Sequence, residues 1–233
     1  MSVERVAIVT GAGRGIGAAV AGELAGRGYR LAVLSPSGAP SAVRAHGAVG
    51  VAGSVTSPAD LAAVVEAALG RFGRIDAVVN STGHPARGGL LELTDAEWLA
   101  GVDLLLLNVV RMARLVTPVF LRQGGGSIVN VSTFSAFEPS AAFPVSSTLR
   151  AALGSFAKLY ADEYAPHGIR MNNVLPGFVE SYPVDAATVR RIPMGRPGTL
   201  GEIARTVAFL VGDDAGYITG QNVRVDGGLT RSV

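Results

Sequence analysis

The sequence predicts an α/β fold: one doubly wound domain spanning residues 1–233, with a parallel sheet of about seven strands and helices on both faces. Three observations predict it. Short apolar, β-branched runs alternate with longer stretches of helical character from one end of the chain to the other, the pattern of strands joined by crossover helices. The runs are near-continuously apolar rather than alternating, as strands buried on both faces are. The first run leads straight into a glycine-rich turn that opens a helix, as in a phosphate-binding α/β unit.

The elements follow in order. Residues 6–10 (VAIVT) form the first strand, 11–17 the tight turn, and 18–26 a helix of small residues. Residues 30–34 form the second strand. The SPSGAPS stretch at 35–41 is a loop, and the element after it is short. A third strand covers 49–52, a helix 59–69 and a fourth strand 75–80. Thr94 begins a helix, with Glu97 spaced to complete a capping box. A separate helix is expected over 105–122, a fifth strand over 127–131, and a helix over 146–164. Strand 170–175, helix 203–211 and strand 222–225 complete the pattern. No internal repeat, low-complexity tract or linker interrupts it.

Composition narrows the function. At 233 residues and 48% hydrophobic content the chain buries a substantial core. No apolar run reaches membrane-spanning length, and the 104–107 block reads as buried helix. No basic-then-apolar leader precedes the first strand, so a cytoplasmic location is the simplest expectation. The absence of cysteine removes disulfides and thiolate metal sites, and no His/Asp/Glu cluster suggests a metal. The net charge is +2 with scattered arginines, an ordinary solvated surface rather than a nucleic-acid footprint.

The turn Thr10-Gly11-Ala12-Gly13-Arg14-Gly15-Ile16-Gly17 carries the first chemistry. Glycines at a strand-to-helix turn permit close approach, and the helix N-terminus offers N–H groups and a positive dipole to a phosphate. The spacing is wider than Gly-x-Gly-x-x-Gly, because Ile16 stands where the last glycine would be. Further blocks follow: Asn80-Ser81-Thr82-Gly83, then 127–133 (SIVNVST), Pro176-Gly177-Phe178-Val179, Tyr217-Ile218-Thr219-Gly220-Gln221 and Val225-Asp226-Gly227-Gly228. In this order and over essentially the whole chain they resemble the short-chain dehydrogenase/reductase family, closest to its ketoacyl-reductase-like branch. The resemblance implies a Rossmann fold, a nicotinamide dinucleotide and a small carbonyl or alcohol substrate. It also implies a homotetramer or homodimer.

It further implies site positions. Gly11, Gly13, Arg14, Gly15, Ile16 and Gly17 hold the cofactor's phosphates, Ser54 and Val55 flank its adenine, and Asn80, Ser81, Thr82 and Gly83 follow along the groove. Pro176, Gly177, Val179 and Ser181 line the nicotinamide, and Asp76 is structural. An acid at the end of the second strand would bind the adenosine ribose and repel a 2′-phosphate. Ser35 stands there, and no Asp or Glu occurs from Leu31 to Ser54. Arg14, with Arg44 as a further partner, suits a phosphate. NADP is therefore expected, with NAD possible.

The family's proton relay consists of a serine, a tyrosine, a lysine four residues later, and an asparagine in the preceding helix. Aligned on the fifth strand, the serine position is Thr133, the tyrosine position Ser146 and the lysine position Arg150, which also falls on the cofactor ribose. The asparagine position is Leu105, with Asn108 one turn later on roughly the same face. The chain's one lysine is Lys158, and Gly154 precedes it by four, so no Tyr-x-x-x-Lys pair exists. Threonine still donates a hydrogen bond. Serine is too short to reach the tyrosine's place, and arginine stays protonated. Losing general-acid catalysis removes about 10²–10⁴-fold in rate. His84, Tyr182 and Glu180 are the replacement acids nearest the expected substrate position, whereas His46 and His167 look solvent-facing. The segment from Ser181 to Ile192 is short for the family's helical lid, so the pocket is more open or closed by another subunit.

Three functions fit. One is an oxidoreductase with an altered proton donor. Another is a non-redox dinucleotide-binding subunit. The third is an enzyme using the pocket for dehydration or isomerisation. The first leads, because sequences of this lineage retain a redox role.

Overall fold

The computed structural model describes residues 4–232. They build a seven-stranded parallel sheet in the order β3-β2-β1-β4-β5-β6-β7. The strands are β1 Val6–Thr10, β2 Arg30–Ser35, β3 Val49–Ala52, β4 Ala77–Asn80, β5 Gly126–Val131, β6 Ile169–Pro176 and β7 Asn222–Val225. The chain winds outward from β1 to β3, returns to β4, and winds the other way. The reversal leaves a crevice beyond the C-terminal ends of β1 and β4, where such sheets bind ligands.

Two apolar layers sandwich the sheet. On one face, helices α1 (Gly15–Gly26) and α8 (Leu200–Val211) bury Val20, Leu24, Ile203 and Val207 against Val9, Val33, Val79 and Val129. On the other, α3 (Pro58–Phe72), α5 (Asn108–Gln123) and α6 (Pro144–Tyr164) bury Leu61, Met112, Phe120 and Ala157 against Ile8, Leu34, Val78 and Ile128. Neighbouring residues of one strand thus enter opposite cores, which is why the strands read as unbroken apolar runs.

The helix starts follow local chemistry. Ser57 caps α3, and Pro58 occupies its first turn. The predicted Thr94–Glu97 capping box is present at α4 (Asp95–Val102), and a second, Thr199–Glu202, opens α8. A cap of this kind is worth about 1 kcal/mol. Arg196 pairs with Glu202 at 2.6 Å, and that ion pair with the Thr199 amide holds the Glu202 carboxyl down at about 2. Residues 41–44 form the short α2 and Ala186–Arg191 the short α7, capped by Asp185.

One expectation is corrected. The helices expected from Thr94 and over 105–122 are one continuous helix, Asp95–Gln123. A π turn at Asp103–Leu107 joins α4 to α5. The Asn108 N–H bonds back to Asp103 O, and its side-chain Nδ2 donates to Leu104 O at 2.6 Å, so the widened turn is satisfied by a side chain. This helix is 29 residues long, and its most apolar 18-residue window, with a mean hydropathy of 1.7, is long and apolar enough to cross a membrane. Half of that window is buried here, with Val109, Met112, Val116 and Phe120 in the core.

Candidate active site

The crevice begins where β1 meets the glycine turn. Thr10 Oγ1 donates to Ser81 O at 2.8 Å and accepts from Ser81 N at 3.0 Å, tying the ends of β1 and β4 together. Two glycines are required there. A Cβ on Gly11 (φ 60°) would stand 2.6 Å from Ser81 O, and one on Gly17 would stand 2.3 Å from Gly11 O. Gly15 also has positive φ but faces open space. Arg14 takes the N-cap position of α1 in extended conformation, and no side chain caps this helix. The first helical backbone bond is Ala18 N to Arg14 O, so the amides of Gly15, Ile16 and Gly17 open unpartnered into the crevice. Buried Thr82 Oγ1, farther along, also lacks a partner. A glycine cradle, three open amides and an orphaned hydroxyl fit a dinucleotide diphosphate lying across the turn.

At the end of the crevice expected to take the adenosine, several side chains are engaged within the chain. Ser35 is buried, and its hydroxyl donates to Gly38 O at 2.6 Å, so the side chain is engaged within its own turn. Gly13 lies against it: a Cβ there would be 3.3 Å from Ser35 Oγ. Arg44 is held by Ala39 O at 2.6 Å. Arg14 is exposed and belongs to no ion pair among the described residues. Ser54 is exposed and Val55 packs against the core. The Ser54 amide donates to Asp60 at 2.8 Å, which brings a carboxylate beside this wall from α3. Asp76 accepts from Val6 N and pairs with Arg74, a structural role as expected.

The strand ends beneath the crevice carry a feature absent from the sequence reading. Asn80, Asn130, Asn173 and Asn222 stand opposite one another on β4, β5, β6 and β7. Asn80 Nδ2 donates to Asn130 Oδ1 at 2.8 Å, Asn130 to Asn173 at 2.8 Å, and Asn173 to Asn222 at 2.7 Å. Four amides thus form one oriented chain, with Asn80 at the crevice end. The signal for it is an asparagine in each of four strands, but only the register shows that they face one another.

The residues expected at the relay positions gather where β5 ends and α6 begins. Thr133 has its Oγ1 3.4 Å from Ser135 N and from Ser135 Oγ, long contacts that leave the hydroxyl able to turn to a ligand. Ser146 is half-buried on the first turn of α6. Arg150, one turn on, is buried and donates Nη1 to Val131 O at 2.6 Å. Burial pushes its guanidinium down to about 10, still a cation at neutral pH. Leu105 is fully buried with Val145 and Leu149 and presents nothing polar. Asn108 is buried, and its Oδ1 has no partner.

On the substrate side, His84 is exposed and meets Tyr182 edge-on, ring centroids 5.3 Å apart. Partial desolvation, then the charges of Arg87, Arg150 and Arg14, hold its imidazole below the ordinary value of 6.5. The Glu180 carboxylate accepts from Leu200 N at 2.9 Å, at the N-terminus of α8. Gly177 N donates to Val225 O, and a Cβ on Gly177 would stand 2.8 Å from Asp226 Cα. Val179 forms a parallel bridge with Gly198, which fixes the 176–180 wall. Ser181 is exposed at the start of the short lid that α7 completes. His46 and His167 are exposed, away from this cluster. Among the described residues no group of three or more His, Cys, Asp or Glu could hold a metal.

Fold and crevice define a doubly wound, dinucleotide-binding α/β protein. The family model described as enoyl-(acyl carrier protein) reductase matches residues 11–230. The short-chain reductase protein NovJ of Streptomyces niveus is 36% identical over 98% of this chain and 95% of its own length. The 3-oxoacyl-[acyl-carrier-protein] reductase FabG of Escherichia coli is 34% identical, covering 97% of each chain. Among solved structures, the TT0495 protein of Thermus thermophilus superposes with a TM-score of 0.87 at 35% identity, over 97% of this chain and 99% of that one. YwfH, an NADPH-dependent reductase involved in bacilysin biosynthesis, superposes at 0.90 with 24% identity over 99% and 100%. This chain belongs to the short-chain dehydrogenase/reductase family of oxidoreductases, in its ketoacyl-reductase-like branch.

Proposed function

We propose that the protein is an NADP(H)-dependent oxidoreductase acting on a small carbonyl or alcohol, with a proton donor other than the family's tyrosine. The observation that carries the reading is the uncapped N-terminus of α1 above an intact glycine cradle, with the unpaired Arg14 beside it. The amides of Gly15, Ile16 and Gly17 hold the diphosphate. Arg14 takes the 2′-phosphate, for which the β2 end offers no repelling acid. When bound, the nicotinamide supplies or accepts the hydride. Thr133 holds the substrate oxygen through its hydroxyl, and Arg150 directs its remaining donors toward the nicotinamide ribose. His84 is the candidate that delivers the proton, since it is the one imidazole on this side of the crevice. The reductase names of NovJ and FabG support the reaction class. Protomers acting in the cytoplasm as homodimers or homotetramers complete the reading.

A titration of NADPH and NADH by fluorescence and calorimetry tests it. NADPH is expected to bind at least about tenfold more tightly, a difference of about 1.4 kcal/mol, and Arg14→Ala to remove the preference. NADPH consumption over a panel of carbonyls then tests turnover. A second reading, a non-redox NADP-binding subunit, draws on the buried Leu105 and the short Ser146 at relay positions. It predicts NADPH binding with no consumption over the whole panel.

A further inference from the structure

The crevice holds more positive charge than a dinucleotide uses, and the excess lies at its substrate end. Arg150 is buried, yet its one hydrogen bond is to Val131 O. Its other nitrogens are not among the occluded, unpartnered atoms, so they keep a little contact with solvent. The contrast with Arg170 is instructive. Arg170 is half-buried, and its guanidinium is bonded to the carbonyls of Leu210, Ile218, Val211 and Gly212. A buried cation with a single neutral partner leaves much of its desolvation uncompensated.

Arg87 adds a second cation. The loop that carries it is pinned beside α6, with Ala86 packed on the cluster of Leu93, Leu105, Val145 and Leu149. Arg87 itself is exposed, with its guanidinium carbon 4.9 Å from the centre of the Phe143 ring. Phe143 immediately precedes α6, three residues before Ser146. Stacking on an aromatic face fixes the guanidinium plane and leaves its edge open. Neither Arg87 nor Arg150 belongs to an ion pair among the described residues. Both act on His84 as repelling charges, and no carboxylate acts on it in return. The 84–87 loop thus sets His84 and Arg87 beside the start of α6, with the Phe143 ring against Arg87 and the Tyr182 ring against His84.

We propose that His84, Arg87 and Phe143 form a carboxylate-binding subsite, so that the substrate is an organic acid whose carboxylate lies on Arg87 and whose carbon skeleton lies against the aromatic rings. The inference rests on the reading of the crevice as a cofactor and substrate site, and it names the substrate class. A guanidinium edge matches a carboxylate in two parallel hydrogen bonds. Inorganic phosphate matches the charge but has no skeleton for the rings to cover.

The test is binding, separate from turnover. Phenylacetate and butyrate, their neutral amides phenylacetamide and butyramide, and inorganic phosphate are titrated into the wild-type protein by calorimetry, with and without saturating NADP⁺. At least one acid is expected to bind about tenfold or more tightly than its amide. Arg87→Gln should bring that ratio to about one, and Arg87→Lys should restore part of it, while NADPH affinity stays within about twofold. The proposal falls if neither acid outbinds its amide, if Arg87→Gln keeps the preference, or if phosphate displaces the acid at equal concentration. Acid selectivity dependent on Arg87 in a protein that fails to bind NADPH would keep the subsite and overturn the cofactor reading instead.

Discussion

Single side chains decide what chemistry this crevice performs. Ser146 and Arg150 stand where the sequence resemblance leads one to expect the family's tyrosine and lysine, and neither side chain moves a proton at neutral pH. The guanidinium stays charged even though burial lowers it to about 10. If His84 is the acid, its protonated form is the active one. Its imidazole lies below 6.5, so carbonyl reduction should still be rising as pH falls through that value. A pH–rate profile checks this, and His84→Ala should flatten it. A flat profile in the wild-type protein removes His84 from the reaction. The missing relay gives a complementary expectation. The double variant Ser146→Tyr, Arg150→Lys should raise NADPH-dependent reduction of simple ketones by about 10²-fold or more, the lower bound of general-acid catalysis. The relevant measurement is kcat on a ketone panel beside the wild-type protein.

At the scale of elements, the asparagine chain joins four strands under the crevice. Asn130 and Asn173 are fully buried, and each amide satisfies the next. Asn173→Leu would leave Asn130 Nδ2 without its acceptor and Asn222 Oδ1 without its donor. The orphaned buried Asn130 amide costs about 1–3 kcal/mol, and Asn222 is only part-buried, so chemical denaturation should show a loss of at least about 1 kcal/mol. A loss below about 0.5 kcal/mol, the level of a neutral surface change, would mean that the amides are satisfied elsewhere. The π turn at Asp103–Leu107 is the other element-scale device. It turns Asn108 into the core and buries Leu105 against α6. A polar side chain thus reaches the interior at Asn108, one turn beyond the relay position, with an oxygen that has no partner.

The whole molecule leaves apolar side chains on its outer helices. Leu159 on α6 is 68% exposed, Leu99 on α4 is 68% exposed, and Phe209 on α8 is 40% exposed. The α4–α5 rod and α6 lie on one face of the sheet, while α8 lies on the other with β7 at the edge. Helices that expose such residues along a layered sheet are suited to pair with a second copy. Light scattering at micromolar concentration should give a homodimer or homotetramer, and Leu159→Glu should shift it toward smaller species. A monodisperse wild-type monomer would contradict this.

The alternation of apolar runs with helical stretches determined the fold class, because a strand buried on both faces and a crossover helix each leave a local pattern. The glycine turn, the absence of an acid at the end of β2, the Thr94 capping box and the lack of a Tyr-x-x-x-Lys pair were likewise legible, since each depends on residues close in the chain. Tertiary structure decided what depends on distant residues meeting. The Glu180 carboxylate meets the amide of Leu200, twenty residues on, at the start of α8. The break expected near residue 105 is a π turn, because the Asn108 amide stabilises a geometry that periodicity does not encode. The asparagine chain depends on strand register, and the excess of cations near His84 depends on a loop folding over the start of α6. Neither exists along the sequence; both arise from the packing that places those side chains side by side.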